Sequence, residues 1–129
     1  MKEILHKVKE FHEHFNIENG KSIKHVDTRT SELRYKLGLE ELDEYKEACE
    51  NNDLIGIADA LGDQLYILVG TILKHGMQDK IVEVFEEIQR SNMSKLGEDG
   101  LPILREDGKI LKSNLYSPPK IKEILEQKK

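Results

Sequence analysis

From Lys2 to Phe15 the apolar residues Ile4, Leu5, Val8, Phe11 and Phe15 recur at spacings of three and four, which predicts an amphipathic helix that stops near Asn19-Gly20. Residues 21–30 show no such period and lead into Asp27-Thr28-Arg29-Thr30-Ser31, whose carboxylate and hydroxyls suit a helix N-cap. A second helix is predicted from Ser31 to Glu50. Asn51-Asn52-Asp53 is a turn and cap signal, and a third helix follows from Leu54 to Lys74, closed by His75-Gly76 with Gly76 as a left-handed cap. Ile81, Val82, Val84, Phe85, Ile88 and Met93 mark a fourth helix that ends near Leu96-Gly97.

Beyond it the pattern changes. Between Leu101 and Lys112, Asp107-Gly108 separates two apolar stretches, the strongest short signal for a β-hairpin. An isolated hairpin is marginal in water, so this one is expected to pack on the helices or on a neighbouring subunit. Ser117-Pro118-Pro119 breaks the chain, and Ile121, Ile124 and Leu125 predict a last short helix followed by a basic tail. Helices joined by short connections specify an all-α bundle of four to five helices, with a small C-terminal β-hairpin and tail over about residues 97–129, all in one domain of residues 1–129.

Two of these helices break their own pattern. At 100° per residue Glu44 lies within about 20° of Leu33 and Leu37 and about 40° from Ala48, with Glu40 and Glu41 on either side of the same stripe. The third helix is apolar almost all round and is expected to be buried, yet it carries Asp59 and Asp63 one turn apart. A carboxylate kept charged in an interior costs several kcal/mol unless something compensates it. Either basic side chains interleave with the acids or a hard divalent cation sits among them. Arg34 and Lys36 precede the cluster and Lys46 falls on the far face, so local positive charge is too scarce. Carboxylate oxygens without paired His or Cys suit Mg²⁺ or Mn²⁺, and Mg²⁺ commonly takes phosphate oxygens among its remaining ligands. A phosphate-bearing substrate follows.

Composition narrows the alternatives. Twenty basic against 25 acidic residues in a chain of 129 give a net charge of −5, which argues against a broad nucleic-acid or anionic-membrane footprint. The single Cys49 makes no internal disulfide, and Met1 leads into a charged helix, so a cytoplasmic protein is expected. The stretch from Leu54 to His75 approaches membrane-spanning length, but Asp59, Asp63 and Gln64 interrupt it, and it reads as a core helix. Phe11 reads as core rather than as a base-stacking platform, and His12 and His14 as solvent-facing or pocket-edge residues.

The pattern Glu40-Glu41-x-x-Glu44, fourteen residues, then Asp59-x-x-x-Asp63 resembles the all-α nucleoside triphosphate pyrophosphohydrolases, the superfamily of MazG, dimeric dUTPases and phosphoribosyl-ATP pyrophosphohydrolase. Phe11-His12-Glu13, Ala58-Asp59-Ala60-Leu61-Gly62-Asp63 and Arg90-Ser91-Asn92-Met93-Ser94-Lys95-Leu96-Gly97 with Glu98-Asp99-Gly100 extend the likeness, toward the phosphoribosyl-ATP-pyrophosphohydrolase-like or MazG-like branch, over roughly residues 3–119. One departure stands out. The superfamily's second motif is usually Glu-x-x-Asp, but Ala60 occupies the Glu position; Asp59, four residues before Asp63 on the same side of the helix, can replace that oxygen.

The resemblance implies metal-dependent cleavage between the α and β phosphates of a (deoxy)nucleoside triphosphate, giving monophosphate and pyrophosphate, as house-cleaning of the nucleotide pool. It implies Mg²⁺, or Mn²⁺, held by Glu40, Glu44, Asp59 and Asp63, with Glu41 as general base or as a further ligand. Asn92 and Lys95 are implied phosphate contacts, and Arg105, Lys109 and Lys112 either close over the substrate or lie on a solvated strand. Related bundles place active sites near subunit interfaces, so a dimer, or a tetramer built from dimers, is implied. The competing expectation is a helical module that binds nucleotide or oligomerises without turnover.

Overall fold

The computed structural model describes residues 1–127, so the end of the expected basic tail lies outside the described residues. Five helices and a short hairpin follow one another: α1 (Lys2–His14), α2 (Thr28–Glu50), α3 (Leu54–Lys74), α4 (Ile81–Met93), β1 (Ile103–Leu104), β2 (Ile110–Leu111) and α5 (Ile121–Glu126). They group into two compact units, Met1–Asp79 and the chain from Lys80 on.

In the first unit α3 packs along α2 and against α1. Both long helices begin on an aspartate. The Asp27 carboxylate accepts from the Thr30 N–H at 2.7 Å, and Asp53 accepts from the Gly56 N–H at 3.0 Å, each satisfying a donor the helix start leaves unpaired. Asn52, at φ 52°, turns the chain back on itself so that α3 runs antiparallel to α2. Near this turn small residues let the helices close up, and a Cβ on Gly56 would stand 3.1 Å from the Ala48 Cβ. At the other end Arg34 reaches across, its Nε donating to Thr71 Oγ1 at 3.0 Å and its Nη2 to the Ile67 carbonyl at 2.7 Å.

The apolar core lies between α1 and α3, where Val8, Val69 and Leu73 are buried and Leu5 packs against them. His12 is buried there too, at 3 % exposure, its Nδ1–H donating to Asn19 Oδ1 at 2.6 Å. That corrects the expectation of a solvent-facing or pocket-edge residue for His12, while His14 is exposed. The connection from α1 to α2 is laced to the end of α3. Gly20 N–H donates to the Leu73 carbonyl at 2.8 Å, Lys24 N–H to the His75 carbonyl at 3.0 Å, and His75 Nδ1–H back to the Lys24 carbonyl at 2.9 Å. Gly76 follows α3 with φ 69°, the left-handed residue the sequence predicts.

Two further expectations about burial fail. Within this chain only Ala60, Val69, Gly70, Ile72 and Leu73 of α3 are buried. Leu68 is 56 % exposed and Leu61 50 %, because α1 and α2 cover two strips of the helix and nothing in the first unit covers the rest. By length and composition alone α3 would also suffice to cross a bilayer. Phe11, expected in the core, is 39 % exposed, because it faces the edge of α3 at Tyr66 and leaves the buried position to Val8.

In the second unit α4 packs on α5. Arg90 grips Glu87 with both ends of its fork, at 2.7 and 2.9 Å, and Glu87 also accepts from the Lys120 N–H at 2.6 Å. The Arg90 hydrogen bonds come first, and that one from Lys120 second, in holding the Glu87 carboxyl down at about 2. Ser113 Oγ donates to the Ser94 and Leu96 carbonyls at 3.1 and 2.7 Å, fastening the segment after the hairpin to the end of α4. The hairpin pairs Ile103 with Leu111 and Leu104 with Ile110 around a turn in which Gly108 has φ 88°. All four strand residues are exposed in the chain, so the expected packing partner for the hairpin is not supplied by its own unit.

A Cβ on Gly76 would meet the Ser22 carbonyl oxygen at 2.1 Å, a backbone atom that cannot swing away, and its φ is already unfavourable for an L side chain. Gly76→Ala is expected to lower stability by about 2–4 kcal/mol. Gly62, inside α3 with nothing within 4 Å of its Cβ position, should instead tolerate Ala and gain about 0.5–1 kcal/mol. Chemical denaturation of the two variants checks both signs.

Candidate metal-binding and active site

The antiparallel pairing of α2 and α3 brings acids from both helices to one place. Glu41 and Glu44, three residues apart on α2, face Asp63 on α3, and one carboxylate oxygen from each lies within 4.8 Å of the others. Glu41 and Asp63 are half-buried and Glu44 is exposed. Three acids this close repel one another, and they stay together because the helices that carry them are packed and clamped on either side.

The other two acids of the motif lie outside this triplet. Glu40 and Asp59 are both exposed. Glu40 sits about 100° round α2 from Glu41, which turns it outward. Asp59 is one turn before Asp63 and is close enough for its charge to act on Glu41. Ala60, in place of the usual Glu, is closed off at 1 % exposure, so its methyl group occupies packed space.

Glu41 carries most of the electrostatic tension. Its Oε2 is shut off from solvent and has no hydrogen-bond partner, and among the described residues no ion pair reaches Glu41, Glu44 or Asp63. Burial first, then a hydrogen bond with Glu44, then the charges of Glu44, Asp63 and Asp59 push the Glu41 carboxyl up from 4.5 to about 7. An orphaned carboxylate oxygen beside two more carboxylates, with no thiolate or imidazole in the group, fits a hard divalent cation such as Mg²⁺ or Mn²⁺.

Asn92 and Lys95 lie in the second unit. Asn92 is exposed in the last turn of α4, and Lys95 is half-buried just beyond it, its N–H donating to the Asn92 carbonyl at 3.1 Å. Of the hairpin's basic residues, Arg105 is engaged in an ion pair with Asp107, and the Lys112 ammonium stands 4.7 Å over the Tyr116 ring. One further residue went unassigned on sequence grounds. Gln64, next to Asp63, has a buried Nε2 without a partner, and its only sequence signal was a polar side chain interrupting an apolar helix.

Because its pKa is raised in the fold, Glu41 holds a proton that the unfolded chain releases from about pH 4.5 upward, so its contribution lowers the stability of the metal-free protein as pH rises from there through about 7. His12 acts oppositely. Burial lowers its pKa below 6.5, so its contribution is full above that pH and is lost as pH falls through the folded value. The difference in denaturation midpoint between wild type and Glu41→Gln isolates the first effect. In EDTA the variant is expected to gain on the wild type steadily between pH 5 and pH 7.5, and a difference that does not change with pH would refute this.

The comparisons with known proteins bear on the same residues. Residues 8–92, which include all five acids, match the family model for phosphoribosyl-ATP pyrophosphohydrolase. A candidate NTP pyrophosphohydrolase from Exiguobacterium sp. 255-15, known from its crystal structure, is similar at 26 % identity over 92 % of this chain and 90 % of its own, with a TM-score of 0.50. No curated protein gives a match. With the matched range running from Val8 in α1 to Asn92 in α4, the chain belongs to the phosphoribosyl-ATP pyrophosphohydrolase family, within the MazG-like NTP pyrophosphohydrolases.

Proposed function

We propose that this protein is a metal-dependent nucleoside triphosphate pyrophosphohydrolase. It would cleave a (deoxy)nucleoside triphosphate between the α and β phosphates, releasing monophosphate and pyrophosphate, and would act in the cytoplasm to clear the nucleotide pool. The observation that carries this reading is the Glu41–Glu44–Asp63 triplet, carboxylates held within 4.8 Å of one another on the helix pair of a pyrophosphohydrolase-family chain.

Glu41, Glu44 and Asp63 would hold Mg²⁺ or Mn²⁺, with Glu40 and Asp59 alongside. When bound, the cation supplies positive charge against that developing on the leaving pyrophosphate. The chain's own part is to position and to move a proton. With its carboxyl near 7, Glu41 is suited to accept a proton from an attacking water at neutral pH, and the same electrostatics suit it to serve as a ligand. Glu44 shares a hydrogen bond with that carboxyl, and the charges of Glu44 and of Asp63 on α3 favour its protonated form. Asn92 and Lys95 are proposed, on the family resemblance, to meet the phosphates as a neutral donor and a point charge.

Self-association belongs to the same reading. An open apolar groove of about 590 Å³ runs along α2 and α3, lined among others by Tyr35, Leu39, Leu42, Leu65 and Leu68. At about 25 cal/mol for each Å² of apolar surface removed from water, covering such a face favours a second copy, as a dimer or a tetramer of dimers. A nucleotide-binding module without turnover is the competing reading, and an acidic triplet on an intact family frame favours the enzyme over it.

Pyrophosphate release from a panel of canonical and modified triphosphates with Mg²⁺, then Mn²⁺, tests the reaction. One or a few nucleotides should be cleaved, and Glu44→Ala or Asp63→Ala should cut kcat by about a hundredfold or more. Metal binding without turnover across the panel would select the module. Leu68→Asp should shift the protein to monomers in analytical ultracentrifugation, and an unchanged mass would remove the groove as the contact.

A further inference from the structure

Antiparallel helices meet at matched positions, so one observed contact between α2 and α3 locates the others. Arg34 on α2 donates to Thr71 on α3. Seven residues make about two turns and about 10.5 Å of helix, so seven steps forward from Arg34 and seven back from Thr71 lead to the next facing pair. That pair is Glu41 and Gln64. Seven further steps lead to Ala48 and Ile57, and there the helices close up, a Cβ on the adjoining Gly56 standing 3.1 Å from the Ala48 Cβ. Glu41 and Gln64 are therefore bracketed by contacts on both sides. In keeping with this register, Gln64 lines the α2–α3 groove together with Gly38 and Leu42 of α2.

Both members of the pair carry a polar atom that is shut off from solvent and has no partner. In Glu41 the atom is Oε2, an acceptor, and in Gln64 it is Nε2, a donor. Buried polar groups in folded proteins are paired as a rule, and here two unpaired ones of opposite kind occupy facing positions. The other acids of the motif offer no such acceptor. Asp63 directly precedes Gln64, about 100° round α3, and neighbours in a helix do not face each other. Glu40, Glu44 and Asp59 are exposed, whereas both unpaired atoms lie inside.

We propose that Gln64 is the positioning residue of the acidic triplet: with a cation bound, its side-chain N–H donates to Glu41 Oε2 and leaves the other Glu41 oxygen to face the cation or the attacking water. The inference rests on the pyrophosphohydrolase reading and adds to it a residue that touches neither metal nor substrate. An ionised carboxylate accepts at both oxygens, and one held from behind by an amide presents the other in a single orientation. A hydrocarbon side chain of the same length fills the space without holding the oxygen.

The test uses the full chain and three readouts. In the first, Mg²⁺ alone is titrated into isotope-labelled protein and followed by NMR, with the Gln64 side-chain amide assigned by its absence from Gln64→Met. Its proton signals should move downfield as Mg²⁺ binds. In the second, Gln64→Met, which keeps length and loses the donor, should raise the Kd for Mn²⁺ about tenfold in an electron paramagnetic resonance titration, and should lower kcat for a cleaved triphosphate by about the same factor with KM little changed. In the third, the variant in EDTA should melt no lower than wild type, because it removes a buried donor that has no partner there. A role in packing alone predicts the reverse, a lower melting temperature with unchanged Mn²⁺ affinity, and that result would overturn the proposal. Turnover that needs Glu44, together with an amide unmoved by Mg²⁺ and a Mn²⁺ affinity indifferent to Gln64→Met, would overturn the positioning role and leave the enzyme reading intact. Movement of the amide with Mg²⁺ and no turnover of any triphosphate would sink the enzyme reading and retain the positioning role at a cation site.

Discussion

How closely α2 and α3 approach governs the first unit. The approach rests on small residues near the turn, where Ala48 lies against Gly56, and on the Arg34 fork to Ile67 and Thr71 at the other end. Between these two fixed points lie Glu41, Glu44 and Asp63, side chains that would separate if they were free to do so. Packing does work against electrostatic repulsion here, and the result is a set of oxygens arranged before any ligand arrives. The cation proposed for this cluster would need that preorganisation, since ligands left to chance hold a metal loosely.

Ala60 shows how the same packing shapes the acidic cluster. A carboxylate at this position would have to enter space that is now closed off, at 1 % exposure, so the acid that α3 brings against Glu41 is Asp63, with Asp59 one turn away in solvent. The burden then concentrates on Glu41, whose unpartnered oxygen and raised pKa are the local record of it. Among the described residues no ion pair relieves it, and Arg34 is committed to backbone and hydroxyl partners on α3.

The third helix also explains why this unit leaves so much apolar surface open. One side serves α1 and α2, one carries acids, and one is lined by exposed leucines. A helix with both a packed side and a leucine-lined side is apolar over most of its circumference, and the proposed assembly is one use of the surface its neighbours leave uncovered.

Periodicity was enough to place the helices, because local backbone hydrogen bonding and capping are set by nearby residues. The bounds of α3, the left-handed Gly76 and the hairpin around Asp107-Gly108 could all be read from the chain alone, whereas α2 begins at Thr28, capped by Asp27, three residues before the Ser31 start that the pattern predicts. The acids were legible as a misplacement, charges on stripes that should be apolar. Other features depended on which helix faces meet, and periodicity carries no information about that. Spacing could not separate Glu41, Glu44 and Asp63 from Glu40 and Asp59, since it describes one helix at a time and the triplet exists only across two. The same limit led to the expectation of a buried α3, an exposed His12 and a core Phe11. An apolar residue records that it favours leaving water, while the tertiary structure decides whether its own chain provides the cover.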